Sequence, residues 1–304
     1  MINDAHCHFF SSRFLEILTQ PLAELPETDR AAAIASRLGW ADPGAPDALA
    51  RLWIEELDRN GVARAALIAS VPGDEDSVAQ AVQLYPDRFV GFFMCNPVSP
   101  GAAERIERAL AVQQMRCICL FPAMHRYPVN AETVGPVFDA AAKHRAAVFV
   151  HCGALTVGVR AKLGLPSPFD WRLGDPLAVA GVAASYPQVP VIIPHFGAGL
   201  FREALMAADQ CGTIHFDSSS SNGWMKYYPD LTLDVVFRQA LKVAGSQRIL
   251  FGTDSSYFPR GWQKGVYAAQ TTAMKSAGAS ETDRQLIIGG NFDRIFSRSA
   301  QTSA

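Results

Sequence analysis

Short apolar runs recur along the chain and alternate with alanine-rich segments. Eight of these runs are rich in β-branched or aromatic residues and are almost continuously hydrophobic. This pattern is typical of parallel strands covered by helices and not of half-exposed antiparallel strands. The predicted strands cover residues 2–8, 65–71, 89–95, 117–121, 147–152, 189–195, 213–217 and 248–254.

The segments between these runs have the apolar spacing of amphipathic helices. In the first of them, Leu49, Leu52, Trp53 and Leu57 share one face, and Gly61 follows as a C-terminal cap. The predicted helices cover residues 48–60, 76–84, 102–113, 131–143, 175–185, 200–210 and 233–243.

Eight strands alternating with helices predict an α/β fold, a (β/α)8 TIM barrel formed as one domain over residues 1–304. A doubly wound open sheet is the alternative, but it usually carries a glycine-rich loop after its first strand. Here that strand is followed by Phe9, Phe10 and Ser11. The long connections, 9–47, 153–174, 218–232 and 255–265, all run from strand to helix. We therefore expect extended loops at the C-terminal face, where barrel active sites are built.

The first predicted strand carries Asp4, His6 and His8 at alternate positions. Residues two apart on a strand point to the same side, so both imidazoles can be directed at one point, with Asp4 below them. Neutral imidazole is the most common nitrogen ligand of zinc and similar metals. A His-x-His pair also occurs by chance, so the metal hypothesis depends on further ligands.

Three other predicted strands also end in a candidate ligand or acid. His151, His195 and Asp254 each follow apolar strand residues at the C-terminal end. Taken singly, each histidine is explained as a core residue that is hydrogen-bonded to the backbone, and the aspartate is explained as a loop cap. In a barrel, however, these strand ends surround one mouth, and clustered titratable groups in one cleft indicate a functional site.

Composition excludes several classes of partner. The chain has 304 residues, 49% hydrophobic and 18% charged, with a formal net charge of −2 and no basic run. Nucleic acid and membrane are therefore not expected as partners. No apolar run approaches the ~20 residues that span a bilayer, and no signal-like segment precedes His6. Six scattered cysteines, several within apolar runs, indicate buried reduced thiols in a cytoplasmic protein.

Six segments together resemble the amidohydrolase superfamily, in the amidohydrolase-related branch that includes aminocarboxymuconate-semialdehyde decarboxylase-like enzymes. They are DAHCHF, VFVHCG, VIIPHFGAG, TIHFDSS, ILFGTDSSYFP and the near-terminal IIGGNFDRIF. The resemblance covers nearly the whole chain. It is specific to the family but not to a substrate.

The resemblance implies that His6, His8, His151 and Asp254 bind one divalent metal ion, most often zinc, with manganese as an alternative. His195 would lie beside the metal and contact a small-molecule substrate. Members with two metals often use a carbamylated lysine on strand four, and the run 116–122 contains no lysine. Asp217 resembles an aspartate that supports the ligands from outside the metal shell.

The expected main activity is hydrolysis of an amide, ester or lactone. A metal-bound water has its pKa lowered towards ~7. Asp254 would act as general base and then acid, and His195 would polarise the substrate. The alternative is a non-oxidative decarboxylase of an aromatic or unsaturated carboxylic acid, in which His195 or Asp254 protonates carbon. A non-catalytic metal- or ligand-binding barrel is a third hypothesis.

Trp171, Arg172 and Trp224, on the loops after strands five and seven, are candidate substrate contacts. Aromatic residues on loops also form lids or subunit contacts, so a homodimer is a further expectation. His125 follows strand four, where it binds an anionic substrate or belongs to a solvated loop. An arginine facing the pocket would favour a carboxylate substrate, and the candidates are Arg13, Arg37, Arg160 and Arg172.

Overall fold

The computed structural model describes residues 1–22, 28–220 and 222–297. Its parallel strands are β1 Ile2–His8, β2 Val62–Ala69, β3 Phe89–Cys95, β4 Cys117–Leu120, β5 Ala147–Val150, β6 Val191–Ile193, β7 Ile214–Asp217, β8 Ile249–Leu250 and β9 Ser255–Ser256. They form one sheet in the order β8-β7-β6-β5-β4-β3-β2-β1-β9. The predicted TIM barrel is confirmed, whereas its extent as one domain over residues 1–304 stays a prediction.

Helices connect the strands, and the longer ones cover the outside of the sheet. They are α1 Ser12–Leu18, α2 Arg30–Leu38, α3 Pro46–Arg59, α4 Glu75–Leu84, α5 Ala102–Ala111, α6 Pro122–His125, α7 Gly135–His144, α8 Gly158–Lys162, α9 Pro176–Ala183, α10 Phe201–Gln210, α11 Leu233–Ala244, α12 Tyr257–Arg260, α13 Lys264–Ser276, α14 Glu281–Gln285 and α15 Asn291–Phe296. All seven predicted helices are present with shifted ends. Within the described residues, no helix combines the length and the apolarity needed to cross a bilayer.

Backbone hydrogen bonds join the first and last strands of the sheet. The Ala5 amide donates to the Phe251 carbonyl at 2.8 Å, and the Asp254 amide donates to the His6 carbonyl at 3.0 Å. The short strand β9 then pairs with the end of β1. This closure brings Asp254 next to His6, although 248 positions separate them in the sequence.

The core has two apolar layers. The inner one lies inside the barrel and includes Ile68, Phe92 and Phe149, whereas the larger outer layer lies between strands and helices. Phe292 of α15 belongs to the inner layer. The preceding Asn291 donates to the Ser246 and Ile249 carbonyls at 2.7 Å each, which ties this helix to β8. All six cysteines are buried and free of disulfides, as predicted.

Two predicted strands, which correspond to β6 and β8, are much shorter than expected. β6 ends at Ile193 because Pro194 follows, and His195 and Phe196 adopt left-handed φ values of 54° and 51°. β8 comprises only two residues. A Cβ at Gly252, two residues after its end, would lie 2.6 Å from Asp217 Oδ1 and 2.9 Å from His6 Cβ. Glycine therefore allows this segment to pass close to Asp217 and His6.

The prediction that Asp4 lies below the two histidines is wrong. The β1 register changes between Asp4, opposite Ala65, and Cys7, opposite Leu67, so β1 contains a bulge at this point. The Asp4 carboxylate is buried and accepts hydrogen bonds from Thr253 and from Trp262 Nε1. Burial raises the pKa of Asp4 to about 6, against the lowering effect of these hydrogen bonds. Asp4 therefore supports barrel closure and does not lie below the two histidines.

Candidate metal centre

Three of the predicted ligands converge at the C-terminal end of the barrel. The ligand atoms of His6, His8 and Asp254 all lie within 4.8 Å of one another. Asp254 Oδ1 is 3.0 Å from His8 Nε2 and 3.5 Å from His6 Nε2. Two imidazole nitrogens and a carboxylate in this arrangement fit a single divalent metal ion.

The Asp254 carboxylate is held in its ionised form. Burial alone would raise its pKa, but the His8 hydrogen bond and the charges of His6 and His195 hold the pKa of Asp254 below its usual range. Asp254 therefore offers a charged oxygen at neutral pH.

The far nitrogen of His6 is held by a carboxylate and a hydroxyl. His6 Nδ1 is 2.6 Å from Asp217 Oδ2 and 3.0 Å from Ser219 Oγ. Burial opposes the imidazolium form of His6, but the charge and hydrogen bond of Asp217 outweigh it and raise its pKa to about 9. A carboxylate behind a ligating histidine fixes its tautomer and its orientation, which is the role expected of Asp217.

A serine holds the far nitrogen of His8. The Ser70 hydroxyl donates to the Ile68 carbonyl at 3.1 Å, so it accepts from His8 Nδ1, 2.7 Å away. With Nδ1 donating to Ser70, His8 Nε2 donates to Asp254 Oδ1 in the 3.0 Å hydrogen bond of this structure, and in the neutral imidazole the same nitrogen carries the lone pair that binds a cation.

The other two predicted histidines lie beside this group. The His195 ring centroid is 5.1 Å from that of His6 and 5.2 Å from that of His151. His195 Nδ1 contacts Ser219, while His151 Nδ1 is buried without a hydrogen-bond partner in the described part of the chain. Burial lowers the pKa of both side chains, so both are neutral imidazoles. An unsatisfied buried nitrogen next to a His-His-Asp group also fits a metal centre.

A cavity of about 790 Å³ opens above these residues. Stacked aromatic rings form one wall of it. The centroid of the Phe10 ring lies 4.3 Å from that of Phe14 and 5.9 Å from that of Trp40. The Trp40 and Phe258 centroids are 6.1 Å apart, and the interplanar angles of all three pairs are 17° or less. A cavity of this size and character accommodates a small aromatic ligand.

The charged groups on the cavity wall are mainly basic. Arg160, Lys162 and Arg260 line it, together with His125, which is neutral because burial lowers its pKa to about 4. Among the lining residues that the structure describes, Asp254 is the only one with a carboxylate. The wall therefore favours anionic ligands.

The three predicted substrate contacts lie elsewhere in this conformation. Trp171 and Arg172 are exposed, and Arg172 pairs with Asp170. Trp224 is buried, and its Nε1 donates to Asn222. None of the three is among the described residues that line the cavity. Their substrate-binding role stays a prediction.

Of the four candidate arginines, Arg160 lines the cavity. Arg13 instead pairs with Glu16 on the surface.

Sequence reasoning missed Ser70, Ser219 and Arg260 in this site. The only available signals were that Ser219 lies two residues after Asp217 and that Arg260 lies in a long β-to-α loop.

Comparison with known proteins identifies one family and a consistent fold. The family model described as amidohydrolase matches residues 3–298. The solved structure of 5-carboxyvanillate decarboxylase from Sphingomonas paucimobilis is similar, with 16% identity, a TM-score of 0.64, and 97% and 98% of the two chains covered. A dihydroxybenzoic acid decarboxylase from Polaromonas with bound manganese and 2-nitroresorcinol is 17% identical, with a TM-score of 0.61 and 97% of each chain covered.

A third similar structure is described as a probable 2-pyrone-4,6-dicarboxylic acid hydrolase from Acinetobacter baumannii. It is 14% identical, with a TM-score of 0.59, and 97% and 98% of the two chains are covered. The similar structures with a named activity are mostly decarboxylases of aromatic acids. The expectation of amide, ester or lactone hydrolysis as the main activity is therefore wrong, and the findings favour the decarboxylase alternative. The ligand pattern led to the wrong choice because His-x-His serves both reactions.

Proposed function

The chain belongs to the amidohydrolase family, and we propose that it is a metal-dependent, non-oxidative decarboxylase of an aromatic carboxylic acid. The observation that carries this proposal is the composition of the cavity. A His-His-Asp group lies at its floor, stacked aromatic rings form one wall, and the described ionic groups other than Asp254 are basic. The aromatic-acid decarboxylases with similar folds support the same reaction class.

In this proposal His6, His8 and Asp254 hold one divalent ion, with the neutral His151 completing the set. Zinc suits the imidazole-rich donors, and manganese is bound by similarly folded decarboxylases. The ion would supply positive charge that holds the substrate carboxylate and a neighbouring oxygen. Metal analysis after separate loading with zinc and manganese distinguishes the two.

The protein's own side chains would orient the substrate and move the proton. The aromatic wall stacks against the substrate ring, and Arg160 attracts its negative charge. Asp254, which is ionised in the free protein, would first take the proton of the hydroxyl next to the substrate carboxylate, and would then deliver it to the ring carbon that bears the carboxylate, with the neutral His195 beside it. The bond between this carbon and the carboxylate then breaks, its electron pair restores the aromatic ring, and carbon dioxide leaves.

A substrate panel tests the reaction class. Metal-loaded protein is incubated with 2-hydroxybenzoate, 2,6-dihydroxybenzoate, and a matched set of aryl amides and lactones, while carbon dioxide and acid release are followed in parallel. We expect carbon dioxide from at least one hydroxybenzoate and no acid from the amides or lactones. Acid release without carbon dioxide would refute the proposal.

A further inference from the structure

Three cations are concentrated at the mouth of the cavity. Arg160 and Lys162 lie on α8, and Arg260 ends α12. Lys162 and Arg260 are exposed and Arg160 is half-buried, whereas His6 and His151 at the cavity floor are buried. The positive charge therefore lies at the solvent side of the cavity, away from the metal-binding group.

These cations lack the acidic partners that other arginines have. Arg108 pairs with Asp76, and Arg238 pairs with Asp234, both on the surface. The side chains of Lys162 and Arg260 form no ion pair or hydrogen bond with any residue in the described ranges, although both line the cavity. Their charges are therefore available to a ligand.

Arg160 is held in a defined position. Its Nε and Nη2 both donate to the Pro166 carbonyl, and its guanidinium carbon lies 5.9 Å from the centre of the Phe169 ring. Phe169 lines the same cavity. A guanidinium oriented in this way against an aromatic wall can bind a carboxylate beside a stacked ring.

We propose that the mouth is a second anion-binding subsite, so that the preferred substrate is an aromatic acid with an additional anionic substituent. This inference rests on the proposed function for the position of the first carboxylate, at the metal. The cavity volume of about 790 Å³ leaves room for a substituted ring between floor and mouth. Arg160 and Arg260 would bind the second anion by charge-assisted hydrogen bonds, with Lys162 adding positive charge.

Binding of a matched ligand pair tests the subsite without requiring turnover. The probes are 2-hydroxybenzoate and 4-hydroxybenzene-1,3-dicarboxylate, which differ by one carboxylate. Calorimetric titration into the metal-loaded wild type should show tighter binding of the dicarboxylate. Arg260→Ala should weaken dicarboxylate binding about tenfold and leave the monocarboxylate within about twofold, since a charge-assisted hydrogen bond is lost for one ligand only. Arg238→Ala, a surface arginine of α11, is the matched control.

Two results would overturn the subsite. One is a wild type with no preference for the dicarboxylate. The other is an equal loss for both ligands in Arg260→Ala, which indicates general attraction of anions. Failure of the proposed function gives a different result. Carbon dioxide release is then absent, but the wild type still prefers the dicarboxylate and Arg260→Ala still loses this preference.

Discussion

At the scale of single residues, the two histidines of β1 in the candidate metal centre are oriented by different partners. Asp217 holds His6, and the neutral Ser70 hydroxyl holds His8. Both contacts are made to Nδ1 and leave Nε2 directed at Asp254. Hydrogen bonds behind a ligand contribute to metal affinity because they fix its tautomer and ring orientation.

Ser70→Ala should therefore weaken metal binding by about 10- to 100-fold, the range typical for loss of such a partner. The His8 ring would lose its only described Nδ1 hydrogen bond. Competition with a chromophoric chelator measures this directly. Ser185→Ala, an exposed serine far from the site, should bind metal as the wild type does. Wild-type affinity in Ser70→Ala would show that Ser70 does not orient the ligand.

The sequence predicted the ligand candidates of this centre better than their supports. His6 and His8 could be found from their alternate positions on the first strand, and Asp254 could be found because it follows apolar residues at the end of the last predicted strand. Ser70, near the end of the second predicted strand, and Ser219 could not, because serine is common at strand ends and in loops and their contacts depend on how separate segments approach each other. Trp171 and Arg172 illustrate the converse, since a loop position alone does not determine which side chains face a cavity.

At the scale of elements, buried polar contacts connect the loops that follow β1 and β2. The Ser11 hydroxyl lies 2.8 and 2.9 Å from the two carboxylate oxygens of Asp74, and Ser11 also caps α1 by accepting from the Phe14 amide. Phe14 belongs to the aromatic wall of the cavity. The Ser11–Asp74 contact therefore positions part of the cavity wall.

Asp74 should make stability depend on pH. Burial raises its pKa from 3.8 to about 7, although the hydrogen bonds of Ser77 and Ser11 oppose this shift. Between these values the folded state binds more protons than the unfolded state, so this group's contribution to the free energy of unfolding falls as pH rises. The full change is on the order of 4 kcal/mol, from ~1.4 kcal/mol per pKa unit.

Asp74→Asn removes this titration and keeps an oxygen that can accept from Ser11. The stability of the variant relative to wild type should therefore rise between pH 4 and pH 7. Urea unfolding of both proteins at pH 4, 5.5 and 7 measures the difference. Parallel pH profiles for the two proteins would contradict the assigned role of Asp74.

At the scale of the whole molecule, barrel closure assembles the site. The β1 and β8 ends meet through the Ala5 and Asp254 amide hydrogen bonds, and this contact places the two histidines of β1 against Asp254. The repeat of strands and helices predicted this architecture because it is periodic along the chain. The cavity wall could not be predicted in the same way, since Phe10, Trp40 and Arg260 lie on loops and short helices without a repeating pattern.

The central claim is that one metal ion at this centre supports decarboxylation. It is tested most directly by measuring carbon dioxide release and metal content together, for wild type, His6→Ala and Asp254→Asn, with a carboxyl-labelled hydroxybenzoate turned over by the wild type. We predict one metal ion per wild-type chain and labelled carbon dioxide only from the loaded wild type, because His6→Ala removes a ligand and Asp254→Asn removes the carboxylate charge and its capacity to carry a proton. Labelled carbon dioxide at near-wild-type rates from His6→Ala, from Asp254→Asn or from metal-free protein would contradict the claim.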